Sequence, residues 1–369
     1  MSDRTAIEWT DATWNPIIGC SVISPGCTNC YAMRLAGTRL KNHPTREGLT
    51  IETKAGPVWN GEVRLREDEL RAPLRWTRPR NIFVCAHADL FAEQVPWSWI
   101  DKVFAIMAQA AHHTYQVLTK RPDEAKRYID ALPARRLGTG HSALDNAPWP
   151  LPNVHLGVSV EDKPRADERI PILLATPAAK RWISAEPLLG PLNLTRLKAP
   201  IHVPEDADMD WRFDALNAGD IYEYDAGDGY WDSGDGPWHE GLDWVVVGGE
   251  SGPGSRPMHP DWATRIRDDC ANAGVPFLFK QWGNWLPVSQ MADGMSDDLY
   301  HPAPKSNPEG RRRCKVANLV LSRDGHQPRP GDPREDLAGE GSMLMFEVGK
   351  KAAGRLLDGV EHNGMPGRD

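Results

Sequence analysis

The chain has 369 residues, 40% hydrophobic and 25% charged, with a formal net charge of −8. That length allows one large domain with insertions or two smaller ones, the apolar share allows a packed core, and the acidic total argues against a generic polyanion binder. No run of eighteen apolar residues offers a membrane span, and the opening Met1 to Ala6 lacks the apolar stretch of a signal peptide, so a cytoplasmic, reducing home is expected. Fifteen tryptophans is a high count; some are expected to pack in the core, and others could stack on a planar ligand or base.

The first feature along the chain is a cysteine loop, with Cys20, Cys27 and Cys30 spaced C-x6-C-x2-C. Three thiolates can hold an iron–sulfur cluster and leave one iron open to a reactant. Pro25-Gly26 supplies the turn that brings Cys20 back towards Cys27, and Cys27 and Cys30 can fall on one side of a turn. Structural zinc is a competing reading, with His87 or Cys85 as the fourth ligand. A third is that the thiols are simply buried as small hydrophobes.

Arg64 to Arg80 then holds six arginines against three acidic residues, and Arg121, Lys126 and Arg127 add further charge. This is a possible nucleic-acid footprint, set against the ordinary role of exposed arginines in solubility.

Short apolar runs alternate with helical spacing from there on. Strands are expected at 81–86, 115–119, 154–160, 181–185, 242–247 and 276–279. Helices are expected at 97–112, where Ile100, Val103, Phe104 and Met107 share a face, after a cap at Asp123, at 166–174, and at 261–273 with a stop at Gly274. This rhythm predicts βα units around a parallel sheet. Polar residues follow the strands repeatedly: Asp89, Lys120, Glu161, Glu186, Glu250 and Gln281. In βα barrels such residues meet in one cleft, although any single one could be a cap or a solvated charge.

Two stretches interrupt the pattern. Residues 204–241 are rich in Asp, Gly and Trp and read as an acidic inserted hairpin or lid, without an EF-hand calcium pattern. Residues 290–341 are rich in Pro, Gly and charge, with a short strand expected at 316–321. Beyond them 348–358 reads as a short amphipathic helix, in which Lys350, Lys351 and Arg355 could contact phosphate, although a solvated cationic face is the commoner role. The expected division is a catalytic domain over 1–287 and a C-terminal extension over 288–369.

Several local motifs carry a resemblance. They are Ile7 to Pro16, the three-cysteine loop, Ala88 to Phe91, Leu118 to Pro122, Leu156 to Glu161, Ser184 to Gly190, Val247 to Gly252, Phe279 to Gly283 and Gly349 to Gly359. Together they resemble the phage-associated three-cysteine family of unknown function, also found in bacterial chromosomes. That family is in turn similar to radical S-adenosylmethionine enzymes, whose usual spacing is C-x3-C-x2-C rather than the longer first gap here.

The resemblance implies an α/β fold, a partial parallel (β/α) barrel of the radical type. It implies a [4Fe–4S] cluster on Cys20, Cys27 and Cys30, and S-adenosylmethionine bound by Asp89, Glu161, Ser184, Glu186, Gly248, Gly249, Glu250 and Gln281. Lys120 or Lys280 would hold a carboxylate or substrate phosphate at the catalytic centre. The implied activity is reductive cleavage of the cofactor and hydrogen abstraction from a substrate, with a nucleotide or nucleic-acid base in DNA modification or repair as the expected class. A separate partner protein encoded alongside is also implied. The alternative is a zinc- or cluster-stabilised nucleic-acid-binding protein without radical chemistry.

Overall fold

A computed structural model of the chain describes residues 5, 7–199, 210–227, 230–302, 312–328 and 341–367. The expected acidic insertion and the Pro/Gly-rich stretch lie partly outside the described residues.

Seven strands form one parallel sheet in sequence order: β1 (Ala12–Trp14), β2 (Asn81–Val84), β3 (Thr114–Thr119), β4 (Val154–Ser159), β5 (Lys180–Ala185), β6 (Trp244–Gly248) and β7 (Phe277–Gln281). Register runs through Ile82↔Tyr115, Tyr115↔Val154 and Trp182↔Trp244. Sequential parallel order demands a crossover after each strand, and helices supply four of them. These are α2 (Trp97–Gln109), α3 (Pro122–Arg135), α4 (Lys163–Leu174) and α5 (Pro260–Ala273), while a short α1 (Tyr31–Gly37) follows the cysteine loop between β1 and β2.

The helix boundaries have local causes. Ile100, Val103, Phe104 and Met107 are buried along one face of α2. Asp162 caps α4 by accepting the Arg165 amide at 3.1 Å. Gly274 ends α5 in the left-handed conformation at φ 71°. Asp123 lies inside the first turn of α3 rather than at its cap, because Pro122 already starts the helix with a preset φ.

The sheet curls into a half-barrel. Trp9 packs edge-on against Phe83 of β2, Trp182 of β5 and Trp244 of β6, at ring separations of 4.8, 5.4 and 5.8 Å. One side chain can touch strands that far apart in order only if the sheet closes around it. With Val246 and Leu278, these rings fill the interior. The opposite face of the sheet packs under the helices in the main core.

The sheet stays open between β1 and β7. The free edge of β7 is covered by the chain's end: the Phe279 amide donates to His362 O and the Gly364 amide to Phe277 O. That cover removes exposed edge hydrogen-bonding groups.

The βα rhythm breaks between β5 and β6, where a four-stranded antiparallel sheet (197–198, 211–213, 219–227 and 230–239) replaces a helix. A three-stranded antiparallel sheet follows β7, with Ser342–Glu347 between Trp285–Pro287 and Asn318–Ser322. The expected helix at 348–358 is only Lys350–Ala353, because Gly349 and Gly354 bound it at positive φ.

Trp9→Ala should therefore cost about 3–5 kcal/mol of unfolding free energy, the range for emptying a buried indole site. Urea denaturation reads it, and a loss under about 1 kcal/mol would contradict a closed interior around this ring.

Candidate functional site at the strand ends

Parallel strands place the residues that follow them at one end of the sheet. The cysteine loop leaves β1 and crosses that end, with Gly19 bridged in parallel to Ala88. Cys20, Cys27 and Cys30 line one cavity of about 180 Å³. Trp59, Phe83 and Leu118 form apolar parts of its wall, and Asp89, Lys120 and Arg121 form polar parts. Cys85 also lines it, held at φ 57°, a region that non-glycine residues rarely occupy and that accompanies local strain.

Three strand ends anchor the loop. After β3, Arg121 is buried and pairs with Asp89 at 3.1 Å and Glu93 at 2.9 Å. Its Nη2 donates to the Ser21 carbonyl and hydroxyl, and its Nη1 lies 3.8 Å from Cys20 Sγ. After β4, Glu161 Oε1 accepts the Ser24 hydroxyl at 2.6 Å and stands 3.3 Å from Lys120 Nζ, while Oε2 accepts Arg169 Nη1 at 3.0 Å. After β6, Glu250 accepts Asn29 Nδ2 at 2.9 Å and two guanidinium nitrogens of Arg256, whose Nη2 also donates to Pro25 O at 3.0 Å.

Gly26 makes this close approach possible: a Cβ there would sit 2.3 Å from Glu161 Oε1. Any side chain at that position would push the loop off its anchor.

A second polar group lies over β6. Glu186 pairs with Lys280 at 2.9 Å and accepts the Ser184 hydroxyl at 3.1 Å. Gly248 leaves the room, since a Cβ would fall 2.6 Å from Glu186 Oε1.

The electrostatics follow from burial and partners. Burial alone would raise the Glu161 carboxyl, but Lys120, Arg169 and the Ser24 hydroxyl outweigh it and hold it below its ordinary range. Glu250 behaves alike, burial opposed and outweighed by hydrogen bonds from Arg256 and Asn29. Burial, with Asp89 adding to it, pushes the Cys20 thiol up to about 12, and burial also raises Cys85.

Among the residues named from sequence, Cys20, Cys27, Cys30, Asp89 and Lys120 share the cavity, with Glu161 behind it. Ser184, Glu186, Gly248 and Lys280 form the second group. Gly249 packs close under the Trp282 carbonyl, and a Cβ there would be 2.0 Å from that oxygen. Gln281 is buried, with Nε2 3.4 Å from Gly249 O. Among the described residues, no three His, Cys, Asp or Glu side chains form a group that could hold a metal ion. No helix among them is long and apolar enough to cross a membrane.

Sequence reasoning missed the anchors Ser24, Asn29, Arg121, Arg169 and Arg256. Arg121 was visible only as part of a basic cluster, and the structure buries it instead. Its place directly after a strand, beside Lys120, was the available signal.

A parallel half-barrel with a cysteine loop docked on its strand ends defines the class of protein. The sequence matches, over residues 4–366, the model of a family described as Protein of unknown function (DUF5131), and the chain belongs to that family. Comparison with curated proteins and with solved structures gives no match.

Glu161→Gln should cost about 3–5 kcal/mol at neutral pH, since it leaves buried cations without their counter-charge. A carboxyl held below its ordinary range contributes stability that is full above its unfolded value, near 4.5, and is lost as pH falls through the folded value. The gap between wild type and variant should therefore narrow on acidification below about pH 4, as read by denaturation at several pH values. A gap that widens there would contradict the assigned charge state.

Proposed function

We propose that the protein is a radical S-adenosylmethionine-type enzyme whose Cys20, Cys27 and Cys30 hold a [4Fe–4S] cluster at the strand-end mouth. The observation that carries the reading is that three thiols from one loop line a single cavity with an apolar wall. Thiolates are the ligands iron–sulfur chemistry selects. In a cage, each thiolate binds a different iron, so the thiols stand around a space rather than converging on one point.

When bound, such a cluster supplies one electron for cleavage of S-adenosylmethionine, and 5′-deoxyadenosine is the product to follow. The protein's own residues prepare the site. Arg121 holds the Cys20 segment and places positive charge beside its sulfur, which partly offsets the burial and the Asp89 charge that raise that thiol. Ser24, 3.8 Å from Cys27 Sγ, fixes the turn carrying that thiol to Glu161. Trp59, Phe83 and Leu118 exclude water from one side.

Glu161 and Glu250 are committed to holding the loop, which leaves Ser184, Glu186 and Lys280 as the polar set for the cofactor's ammonium, carboxylate or hydroxyls, with Lys120 facing the substrate. A nucleotide or nucleic-acid base is the proposed substrate class, acting with a separately encoded partner in phage or bacterial DNA modification or repair.

Anaerobically purified protein with S-adenosylmethionine and a strong reductant should form 5′-deoxyadenosine, and Cys27→Ala should abolish it. No 5′-deoxyadenosine from cluster-loaded wild type, or equal yields from both proteins, would overturn the proposal.

A further inference from the structure

Arg46 lies in the turns after α1, in a segment that packs beside the cysteine loop. Leu49 of that segment joins Ile18 and Met33 in a small core against which Cys20 and Cys30 rest. Arg46 is 7% exposed, and its Nη2 donates to His87 Nδ1 at 2.8 Å. Its Nη1 is buried without a hydrogen-bond partner. Burial, with the Arg66 charge adding to it, lowers Arg46 to about 10, so it stays cationic at neutral pH, and no carboxylate acts on it. Arg66 itself is taken up by Asp68 and Glu69. The buried arginines at the mouth are different: Arg121 meets Asp89, and Arg169 meets Glu161. A buried cation without a counter-charge is costly, and an anion brought up to it removes the cost.

His87 connects that charge to the mouth. An arginine only donates, so His87 Nδ1 accepts and Nε2 carries the ring proton. Burial, and then the guanidinium, lower His87 to about 4, which leaves the ring neutral. His87 is half-buried, and among the described residues its Nε2 has no partner and is not sealed from solvent. The result is one outward N–H donor, polarised from behind by a guanidinium whose charge nothing cancels. His87 sits in the turn after β2, between residues Cys85, Ala86 and Ala88 that line the thiol cavity. Tyr31 directly follows Cys30; its ring is 6.3 Å from the His87 ring, and it is 71% exposed.

We infer that the His87 Nε2–H, with Arg46 behind it, receives the phosphate of a nucleotide whose base stacks on Tyr31 at the rim of the thiol cavity. The uncancelled cation calls for an anion, the directed N–H for an acceptor oxygen, and the exposed ring for a planar group. A nucleotide carries all three. The inference rests on the substrate reading above for what the bound nucleotide is there to do, while the groups that bind it are independent of any cluster.

Calorimetric titration of the anaerobically purified full chain with UMP, uridine and inorganic phosphate in turn tests this, without S-adenosylmethionine or reductant. A pyrimidine nucleotide avoids an adenosyl site. UMP should bind saturably and at least about tenfold more tightly than uridine or phosphate. His87→Asn keeps an acceptor for Arg46 but removes the outward donor, and it should lose about tenfold in UMP affinity. Arg46→Met should lose as much while its melting temperature stays level or rises, because the cation it removes is unpaired. Tyr31→Ala, an exposed change that reads the site even if Arg46→Met does not fold, should weaken UMP and uridine by about fivefold or more. No saturation by about 10 mM UMP would leave solvent as the further partner of Arg46 and overturn the site. Equal affinity for UMP and either uridine or phosphate, or unchanged UMP affinity in any of the three variants, would also overturn it. A chain that forms 5′-deoxyadenosine but binds no UMP would overturn this site and leave the radical reading standing; UMP bound as expected by a chain that forms none would do the reverse.

Discussion

Glu161 is the side chain on which the arrangement of this mouth depends. It is fully buried, and it joins the cysteine loop through Ser24, the end of β3 through Lys120, and α4 through Arg169. A buried carboxylate is tolerable only where partners replace its hydration. Here the partners come from segments distant in sequence, so satisfying one charge fixes their relative positions. Gly26 lets the loop come down onto that carboxylate, and the loop's two flanks are tied by Arg121 and by the Glu250–Arg256 pair.

The half-barrel provides the frame for this. Parallel strands in sequential order deliver Asp89, Lys120, Glu161, Glu186 and Glu250 to one end, as the βα architecture requires. Seven of the fifteen tryptophans serve the frame: Trp9, Trp182 and Trp244 plug the interior, and Trp14, Trp262, Trp282 and Trp285 are buried in the main core. The carboxylates at the mouth then divide into two kinds. Glu161 and Glu250 are structural anchors, and Glu186 belongs to a smaller polar group with Ser184 and Lys280. The thiol cavity lies where the strands end, and a larger cavity lies where β2 to β5 begin.

Much of this frame was readable from local pattern. Six of the seven sheet strands were apolar runs of ordinary length, and Gly274 was a chemically unambiguous helix stop. β1 was not readable: Ala12–Trp14 is too short to show a period, and its pairing with β2 joins residues about seventy apart in sequence. The expected C-terminal helix failed because the glycines flanking Lys350–Ala353 dominate over its amphipathic spacing. At the mouth, the three cysteines were legible as a spacing, and the polar residues after each strand as a recurrence. The anchors were not, because Ser24 meets Glu161 and Asn29 meets Glu250 across long separations that no window of sequence displays. Arg121 is the clearest case: its charge suggested a surface, while the opposing carboxylates of Asp89 and Glu93 make its burial affordable.

One loop presents three thiols around a shared space at the strand ends, where we propose that they hold a multi-iron cage. Elemental analysis of anaerobically purified protein tests it most directly, by measuring iron, acid-labile sulfide and zinc in the same sample. The account predicts iron and sulfide in equal amounts, both lost when Cys20, Cys27 and Cys30 are together replaced by Ala. Stoichiometric zinc without sulfide would contradict it.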